Sequence, residues 1–214
     1  MLTLYTYFRS SASYRVRIAL RLKHLEYRAV PVHLLRHGGE QHGPDYARRN
    51  PSKLIPTLED GALTLRQSLA ILEYLEEIHP TPALLPPDAA GRARVRALAQ
   101  SVACDIHPLN NLRVLRYLKA EGLDEDRRAA WSRHWMAIGF ESIERLLQTD
   151  APAGRFCHGD APTLADCCLV PQVFNASRVQ LPLDAYPTIK RIHAQCEEME
   201  AFRLAAPPAQ PDAE

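Results

Sequence analysis

Lysine is scarce in this 214-residue chain. Of its 26 basic residues only Lys23, Lys53, Lys119 and Lys190 are lysines. Arginine is therefore so common that an arginine near a site means little unless its position argues for it. No apolar run approaches the roughly 20 residues needed to cross a bilayer. Cysteine is limited to Cys104, Cys157, Cys167, Cys168 and Cys196. The number is odd and no C-x-x-C pair occurs, which argues against both a disulfide framework and a zinc site. Reduced thiols, mostly buried in helices, are the expectation. The net charge of +1 offers no basic surface for nucleic acid or an anionic membrane. Met1 leads straight into an alternating strand rather than an apolar leader, as expected of a cytoplasmic protein.

What is present divides into two unlike halves. Hydrophobic residues at 46% and charged residues at 24% are ordinary for a soluble globular protein. Residues 1–80 read as mixed α/β. Leu2 to Tyr7 alternate as a strand, a helix follows over about 11–24, and Tyr27 to Leu34 read as a second strand. The segment 37–44 is glycine-rich with a low helical signal. Thr57-Leu58 and Ala62 to Leu65 flank Asp60-Gly61, a hairpin turn signal. Ser68 to Ile78 then place Leu72, Leu75 and Ile78 on one helix face. The order βαβ, then ββα, is that of a thioredoxin-like domain, βαβαββα in full. Pro80, Pro82, Pro86 and Pro87 mark a linker over 81–87. Residues 88–214 read as all-helical, with helices near 88–119, 124–149, 164–178 and 186–200. The proline-rich tail at 207–211 is expected along the surface. Thr163 and Asp166 are spaced as a capping box, a folding device rather than a catalytic pair.

The most informative stretch is Arg9-Ser10-Ser11-Ala12-Ser13-Tyr14-Arg15-Val16-Arg17-Ile18-Ala19-Leu20. It follows the first strand and opens the first helix. Hydroxyls thus stand where the first N–H groups of the helix lack an internal partner. The positive end of the helix dipole lies there too. A thiol held at this place would ionise below its free pKa of about 8.5. Yet position 12 is alanine and no cysteine lies nearby in the sequence. A thiolate working here must arrive on a ligand, which points to glutathione.

The run RSSASYRVRIAL resembles the active-site motif of zeta-class glutathione transferases, usually SSCxWRVRIAL. The resemblance continues through Asn50-Pro51, Ile55 to Leu58, Gln67 to Leu75 and the linker Pro80 to Pro86. It extends through Asp105 to Asn111, Leu164 to Asp166 and Leu169 to Val173. It implies a glutathione-transferase fold: an N-terminal glutathione-binding domain followed by a helical bundle contributing the substrate pocket. It also implies a two-fold homodimer.

The resemblance assigns roles residue by residue. Ser10 lies nearest the glutathione sulfur, with Ser11 beside it and Ala12, Ser13, Tyr14 and Arg15 around the cofactor. Which of the three serines stabilises the thiolate stays open, since one of them can serve only as a helix cap. Gln67 and Ser68 take the γ-glutamyl carboxylate at a helix start, although Ser68 also reads as a plain N-cap. A cis bond at Ile55-Pro56 would turn the Ile55 backbone toward the cysteinyl unit. Gln41 joins the cofactor set from the glycine-rich loop. His107 and Asn111, four apart and so expected on one helix face, with a helix distortion expected where His107 precedes Pro108, bring Leu112 and Arg113 with them from the second domain. Arg9 and Arg178 are the candidates for the substrate carboxylates, which guanidinium forks bind bidentately.

Known zeta members are largely maleylacetoacetate isomerases, with bacterial relatives acting on maleylpyruvate. The resemblance thus implies glutathione-dependent cis–trans isomerisation, with Ser10, Ser11 and Arg9 in catalytic roles. Maleylpyruvate isomerisation is the alternative within the family. General glutathione conjugation or dehalogenation of small halo acids is a second. A non-enzymatic binding protein of the same fold is a third, and the intact serine cluster and Gln67-Ser68 argue against it.

Overall fold

The computed structural model describes residues 1–149 and 153–214. It divides into two compact units. One comprises Met1–Leu84 together with Glu197–Glu214, and the other Leu85–Cys196. The first difference from the sequence expectation lies here. The last 18 residues do not belong to the helical unit but return to the first one.

In the first unit, strand β1 (Leu2–Thr6) leads to helix α1 (Ser11–Leu22), and the chain returns as β2 (Tyr27–Pro31). The short helix α2 (Pro44–Arg49) precedes β3 (Thr57–Asp60), β4 (Leu63–Arg66) and α3 (Ser68–Ile78). The sheet order is β2-β1-β3-β4, with β1 and β2 parallel and the remaining pairs antiparallel. A parallel pair needs a crossover helix, which α1 supplies, whereas β3 and β4 need only a tight turn. That turn carries Gly61 at φ +57°, a conformation glycine adopts without steric cost.

Strand β2 stops at Pro31, three residues short of expectation, because His33 turns the chain. Its Nδ1 accepts the N–H groups of Leu35 (3.2 Å) and Arg36 (2.9 Å). Helix α1 ends at Leu22 because His24 takes φ +54°. The next side chain after the helix, Lys23, is buried. Its Nζ donates to Glu76 Oε2 (2.7 Å), His79 O (2.6 Å) and Pro82 O (2.8 Å). This enclosed ammonium ties the end of α1 to the end of α3. The glycine-rich segment forms two short 3-10 turns, Arg36–Gly38 and Glu40–His42.

The second unit contains α4 (Ala89–Gln100), α5 (Leu112–Ala120), α6 (Glu125–Thr149), α7 (Leu164–Arg178) and α8 (Pro187–Glu197), the final residue of α8 falling in the first unit. The single helix expected over 88–119 is interrupted. A π-helical turn spans Ser101–Ile106 and a 3-10 turn His107–Asn110. Pro108 cannot donate to the helical ladder. Trp131 Nε1 takes up the Leu109 carbonyl at 2.9 Å. Asn111 is extended (φ −65°, ψ 145°) and its side chain caps α5 through the Arg113 N–H. The π-helical turn approaches α6 closely at Gly139, where a Cβ would lie 2.3 Å from Ile106 Cδ1. No other residue fits there without displacing Ile106.

The helix expected over 186–200 ends at Glu197, and a separate helix α9 (Glu200–Ala205) begins beyond it. The tail keeps to the surface at Pro208, Ala209 and Pro211, yet it is folded. Pro207–Ala209 form a 3-10 turn, Pro207 is buried, and Gln210 Nε2 donates to Leu204 O and Ala206 O, both at 2.9 Å.

Four cysteines are buried, while Cys104 is exposed. Burial pushes the Cys157 thiol well above its usual value. No described helix is long and apolar enough to cross a membrane.

The expected capping box is formed. Asp166 Oδ2 accepts the Thr163 N–H and hydroxyl, both at 2.8 Å, and Oδ1 accepts the Cys157 N–H at 2.9 Å. Burial pushes the Asp166 carboxyl up, and these donors oppose the shift. Replacing it strands two buried N–H groups, each costing about 1–3 kcal/mol. Asp166→Ala is therefore expected to lower unfolding free energy by about 2–5 kcal/mol, read from the urea midpoint. A loss under about 0.5 kcal/mol would contradict this role.

Candidate active site

The β1–α1 junction is a tight turn. Ser10 N–H donates to Tyr7 O at 3.0 Å, and Ser10 then caps α1 by accepting the Ser13 N–H on Oγ at 3.2 Å. A hydroxyl has one proton and two lone pairs. Capping consumes only a lone pair, and no described residue receives the Ser10 proton. Ser10 is half-buried, whereas Ser11 is 8% and Ser13 0% exposed. Ser13 Oγ is enclosed without a hydrogen-bond partner. Of the three hydroxyls, Ser10 is thus the one that can cap the helix and still donate outward. Ser13 presents no accessible hydroxyl. Ala12 is half-buried in the first turn of α1. Tyr14 turns inward and its hydroxyl reaches Phe202 O at 3.4 Å.

Arg15 links this helix start to a second one. Arg15 is 2% exposed, and its Nη1 donates to Ser68 Oγ at 3.1 Å. Ser68 is the first residue of α3, while the cap is Gln67, at φ +69° with no side-chain capping bond. The plain N-cap reading of Ser68 is therefore not what the fold displays. Neither α1 nor α3 has an acidic residue in its first turn. Two helix N-termini and a buried guanidinium together favour an anion.

The loop before β3 is pinned from beneath. The Ile55-Pro56 bond is cis. Tyr46 Oη and Asn50 Nδ2 both donate to Leu54 O at 2.6 Å, and Tyr46 Oη also meets Thr57 Oγ1 at 2.9 Å. These supports were not assigned from sequence. Asn50-Pro51 stood out there only as part of the resemblance, and Tyr46 carried no signal beyond being an aromatic on a short helix.

Gln41 lies on the second 3-10 turn, 5% exposed. It packs over Gly39, where a Cβ would lie 2.6 Å from Gln41 Nε2. Gly39 also has φ +111°, so side chain and backbone both require glycine there. Gln41 Oε1 has no partner among the described residues. Glu40 holds the turn in place: its Oε2 accepts the His33 N–H at 2.6 Å, and its own N–H donates to His33 O at 2.8 Å. Arg9 stands beside Ser10, half-buried, with its guanidinium 5.5 Å from the Phe8 ring centre. Its buried Nε meets no acceptor among the described residues. The groove of about 500 Å³ along Arg28, Val30, Tyr46 and Arg49 is separate, since neither Ser10, Ile55 nor Ser68 lines it.

The helical unit carries the remaining candidates. His107 is half-buried at the junction of the π-helical and 3-10 turns. Asn111 is the α5 cap, so the two do not share a helix face as the spacing suggested. Pro108 is the reason, because the helix breaks between them. Asn111 Oδ1 accepts the Arg113 N–H at 3.0 Å, and Leu112 and Arg113 form the first turn of α5, which has no acidic residue. Arg178 ends α7, exposed, with Nη1 at 3.3 Å from Asn175 Oδ1.

Residues 1–77 match the glutathione S-transferase N-terminal domain family. A probable maleylacetoacetate isomerase of Vibrio cholerae is 52% identical over 213 residues, 99% of this chain and 98% of that protein. A solved holo structure of a maleylpyruvate isomerase, a zeta-class bacterial glutathione transferase, is 52% identical. It superposes with a TM-score of 0.96 over 99% of this chain and all of that one. A maleylacetoacetate isomerase of Anaeromyxobacter dehalogenans, solved with glutathione in its active site, is 47% identical. Its TM-score is 0.89, over all of this chain and 98% of that one. Similarity at this level along the whole chain, over a β1–α1 junction that keeps its serines but no cysteine, makes this chain a member of the zeta-class glutathione transferases.

Proposed function

We propose that this chain is a glutathione-dependent cis–trans isomerase that converts maleylacetoacetate to fumarylacetoacetate. The observation that carries the reading is Ser10: a hydroxyl capping α1, its proton uncommitted, in a turn with no thiol of its own. The residues present fit glutathione. Gln41 Oε1 and Arg9 Nε are buried without partners among the described residues. Arg15 and Ser68 frame an acid-free helix start suited to a carboxylate.

When bound, glutathione supplies a thiolate that adds reversibly to the conjugated alkene, so that the former double bond can turn. The protein's part is electrostatic and positional. Ser10 donates its hydroxyl proton as a hydrogen bond to the sulfur, and the α1 N-terminus favours negative charge there. Ser11 supports the same turn. Arg9 faces the substrate, where its fork stabilises the charge gathering on the carbonyl oxygen. Gln67, Ser68 and Arg15 anchor the γ-glutamyl carboxylate, while the Ile55 backbone and Gln41 hold the rest of the tripeptide. By resemblance, His107, Asn111, Leu112 and Arg113 belong to the cofactor set, and Arg178 is the second substrate arginine. The working form is a cytoplasmic homodimer.

Maleylpyruvate is the second reading, favoured by the solved relative with a TM-score of 0.96. Isomerisation of freshly generated maleylacetoacetate and maleylpyruvate, with and without glutathione, tests both. Turnover is expected only with the thiol present and faster on maleylacetoacetate. Faster turnover of maleylpyruvate transfers the assignment to the second reading. Full activity of dialysed, thiol-free enzyme overturns the mechanism.

Ser10→Ala is expected to raise the pKa of bound glutathione by about one unit, roughly 1.4 kcal/mol. It should lower kcat more than glutathione affinity. Thiolate absorbance against pH reads this directly, and an unchanged curve with normal turnover passes the role to Ser11.

Arg9→Lys keeps the charge but loses the planar fork. A lost charge-assisted hydrogen bond costs about 1.5–3 kcal/mol, one to two decades in kcat/KM. The expected outcome is a higher KM for the maleyl substrate with near-normal glutathione binding, measured by steady-state kinetics and titration calorimetry. Weakened glutathione binding with an unchanged substrate KM would mean that Arg9 serves the cofactor instead.

A further inference from the structure

The turn that presents Arg9 and Ser10 is held by two side chains from outside it. One is Arg17, three residues past the first turn of α1 and 0% exposed. Its Nη1 donates to Tyr7 O (3.3 Å) and Thr6 Oγ1 (3.0 Å), and Nη2 donates to Phe8 O (2.9 Å). Its Nε reaches back to Ala205 O of α9 at 2.9 Å. The other is Asp212 in the returning tail, whose Oδ2 accepts the Phe8 N–H at 3.0 Å. Phe8 thus has its carbonyl on a buried cation and its N–H on a carboxylate. Tyr7 O, which also receives the Ser10 N–H at 3.0 Å, is shared with the same cation.

We propose that Asp212 is a positioning residue for the glutathione site, clamping Phe8 against Arg17 so that the Ser10 hydroxyl and the Arg9 guanidinium point outward. The proposal rests on the glutathione reading given above. Its physical basis is a one-sided arrangement. The carbonyls of Tyr7 and Phe8 are pulled toward Arg17, and the Phe8 N–H points the opposite way. Without an acceptor on that side, the Tyr7-Phe8 peptide plane is held against rotation only through its carbonyl, by Arg17 and the Ser10 N–H, and Arg9 and Ser10 follow directly in the chain.

Charge supports the geometry. Burial lowers the Arg17 guanidinium to about 10, a shift opposed first by Tyr27 and Tyr14 and, to a smaller extent, by the charge of Asp212. Asp212 therefore stabilises the cation that grips the turn as well as the turn itself. The tail is shaped to deliver it: Tyr14 Oη holds α9 through Phe202 O, and Ala213 N–H donates to Gln210 O at 3.0 Å around the aspartate. A second tail carboxylate, Glu214, pairs with Arg36 and lies 3.4 Å from His33 Nε2. It does not touch the β1–α1 turn, and it is exposed, where ion pairs contribute little.

The test compares Asp212→Ala, Asp212→Asn and Glu214→Ala in the full-length chain. Small misplacements of catalytic groups cost up to about 100-fold in rate. Asp212→Ala is expected to lower kcat about tenfold and to raise the pKa of bound glutathione by about one unit. Glutathione KM should change less than about twofold, because Ser68, Gln67 and Ile55 are untouched. Asp212→Asn keeps an oxygen acceptor and should recover most of the loss. Amide nitrogen and proton shifts of Arg9 and Ser10, recorded without glutathione, should move in Asp212→Ala and stay in place in Glu214→Ala. If Asp212→Ala does not fold, Asp212→Asn must show the same changes in smaller measure. Lowered thermal stability with unchanged Arg9 and Ser10 shifts, kcat and bound-thiol pKa would overturn the proposal. So would an equal effect of Glu214→Ala. If the wild type shows no thiolate absorbance with glutathione while the Arg9 and Ser10 shifts still move in Asp212→Ala, the clamp stands and the glutathione reading fails.

Discussion

Arg17 is a full positive charge placed where water cannot reach it. Taking an ion out of water costs several kcal/mol unless its donors are all met. Here the acceptors are carbonyls of Tyr7, Phe8 and Ala205 and the hydroxyl of Thr6, with no carboxylate bonded to it directly. The cation therefore cannot be satisfied unless β1, the turn after it, α1 and α9 are all in place. That makes the conformation of the serine turn a condition of burying Arg17. It also explains why the C-terminal segment folds with the first unit: Ala205 and Asp212 supply what the N-terminal 84 residues alone do not.

The same logic organises the charge around the proposed cofactor. Helices α1 and α3 begin without acidic residues, and Arg15 bridges them through Ser68. Arg9 adds a second guanidinium, one with no carboxylate partner among the described residues. Such a surface is poorly matched to itself and well matched to an anionic ligand. Elsewhere in the same unit some cations are paired with carboxylates, as with Lys23 and Glu76 or Arg49 and Glu59. The difference lies in partners, not composition, because arginine abounds throughout the chain.

Much of the architecture was legible. Alternation located β1, the Asp60-Gly61 signal located the hairpin, and helix spacing located α3 and α7. The misses have local causes. His33 ended β2 early by turning the chain, its Nδ1 accepting the N–H groups of Leu35 and Arg36 just beyond the expected strand. At Pro108 the distortion expected from the sequence goes as far as a break, so His107 and Asn111 do not share a helix face. The serine run was recognisable as a helix start, but three adjacent hydroxyls cannot be told apart by pattern. Only burial separates Ser10, which keeps a free proton, from Ser13, which is enclosed.

By itself the sequence determined that a hydroxyl-rich, cysteine-free helix start follows a strand, and that a thiolate used there must come from a ligand. Those statements depend on residue type and short spacings, which the chain carries in one dimension. The tertiary structure alone decided that Arg15 meets Ser68, that Asn50 and Tyr46 hold the Leu54 carbonyl, and that Asp212 takes the Phe8 N–H. These partners are 53, 4, 8 and 204 residues apart. Even the short separations cross a loop whose path is set by packing beneath it. Hydrogen bonds of this kind act over about 3 Å, so only the folded path of the backbone can bring such groups within reach.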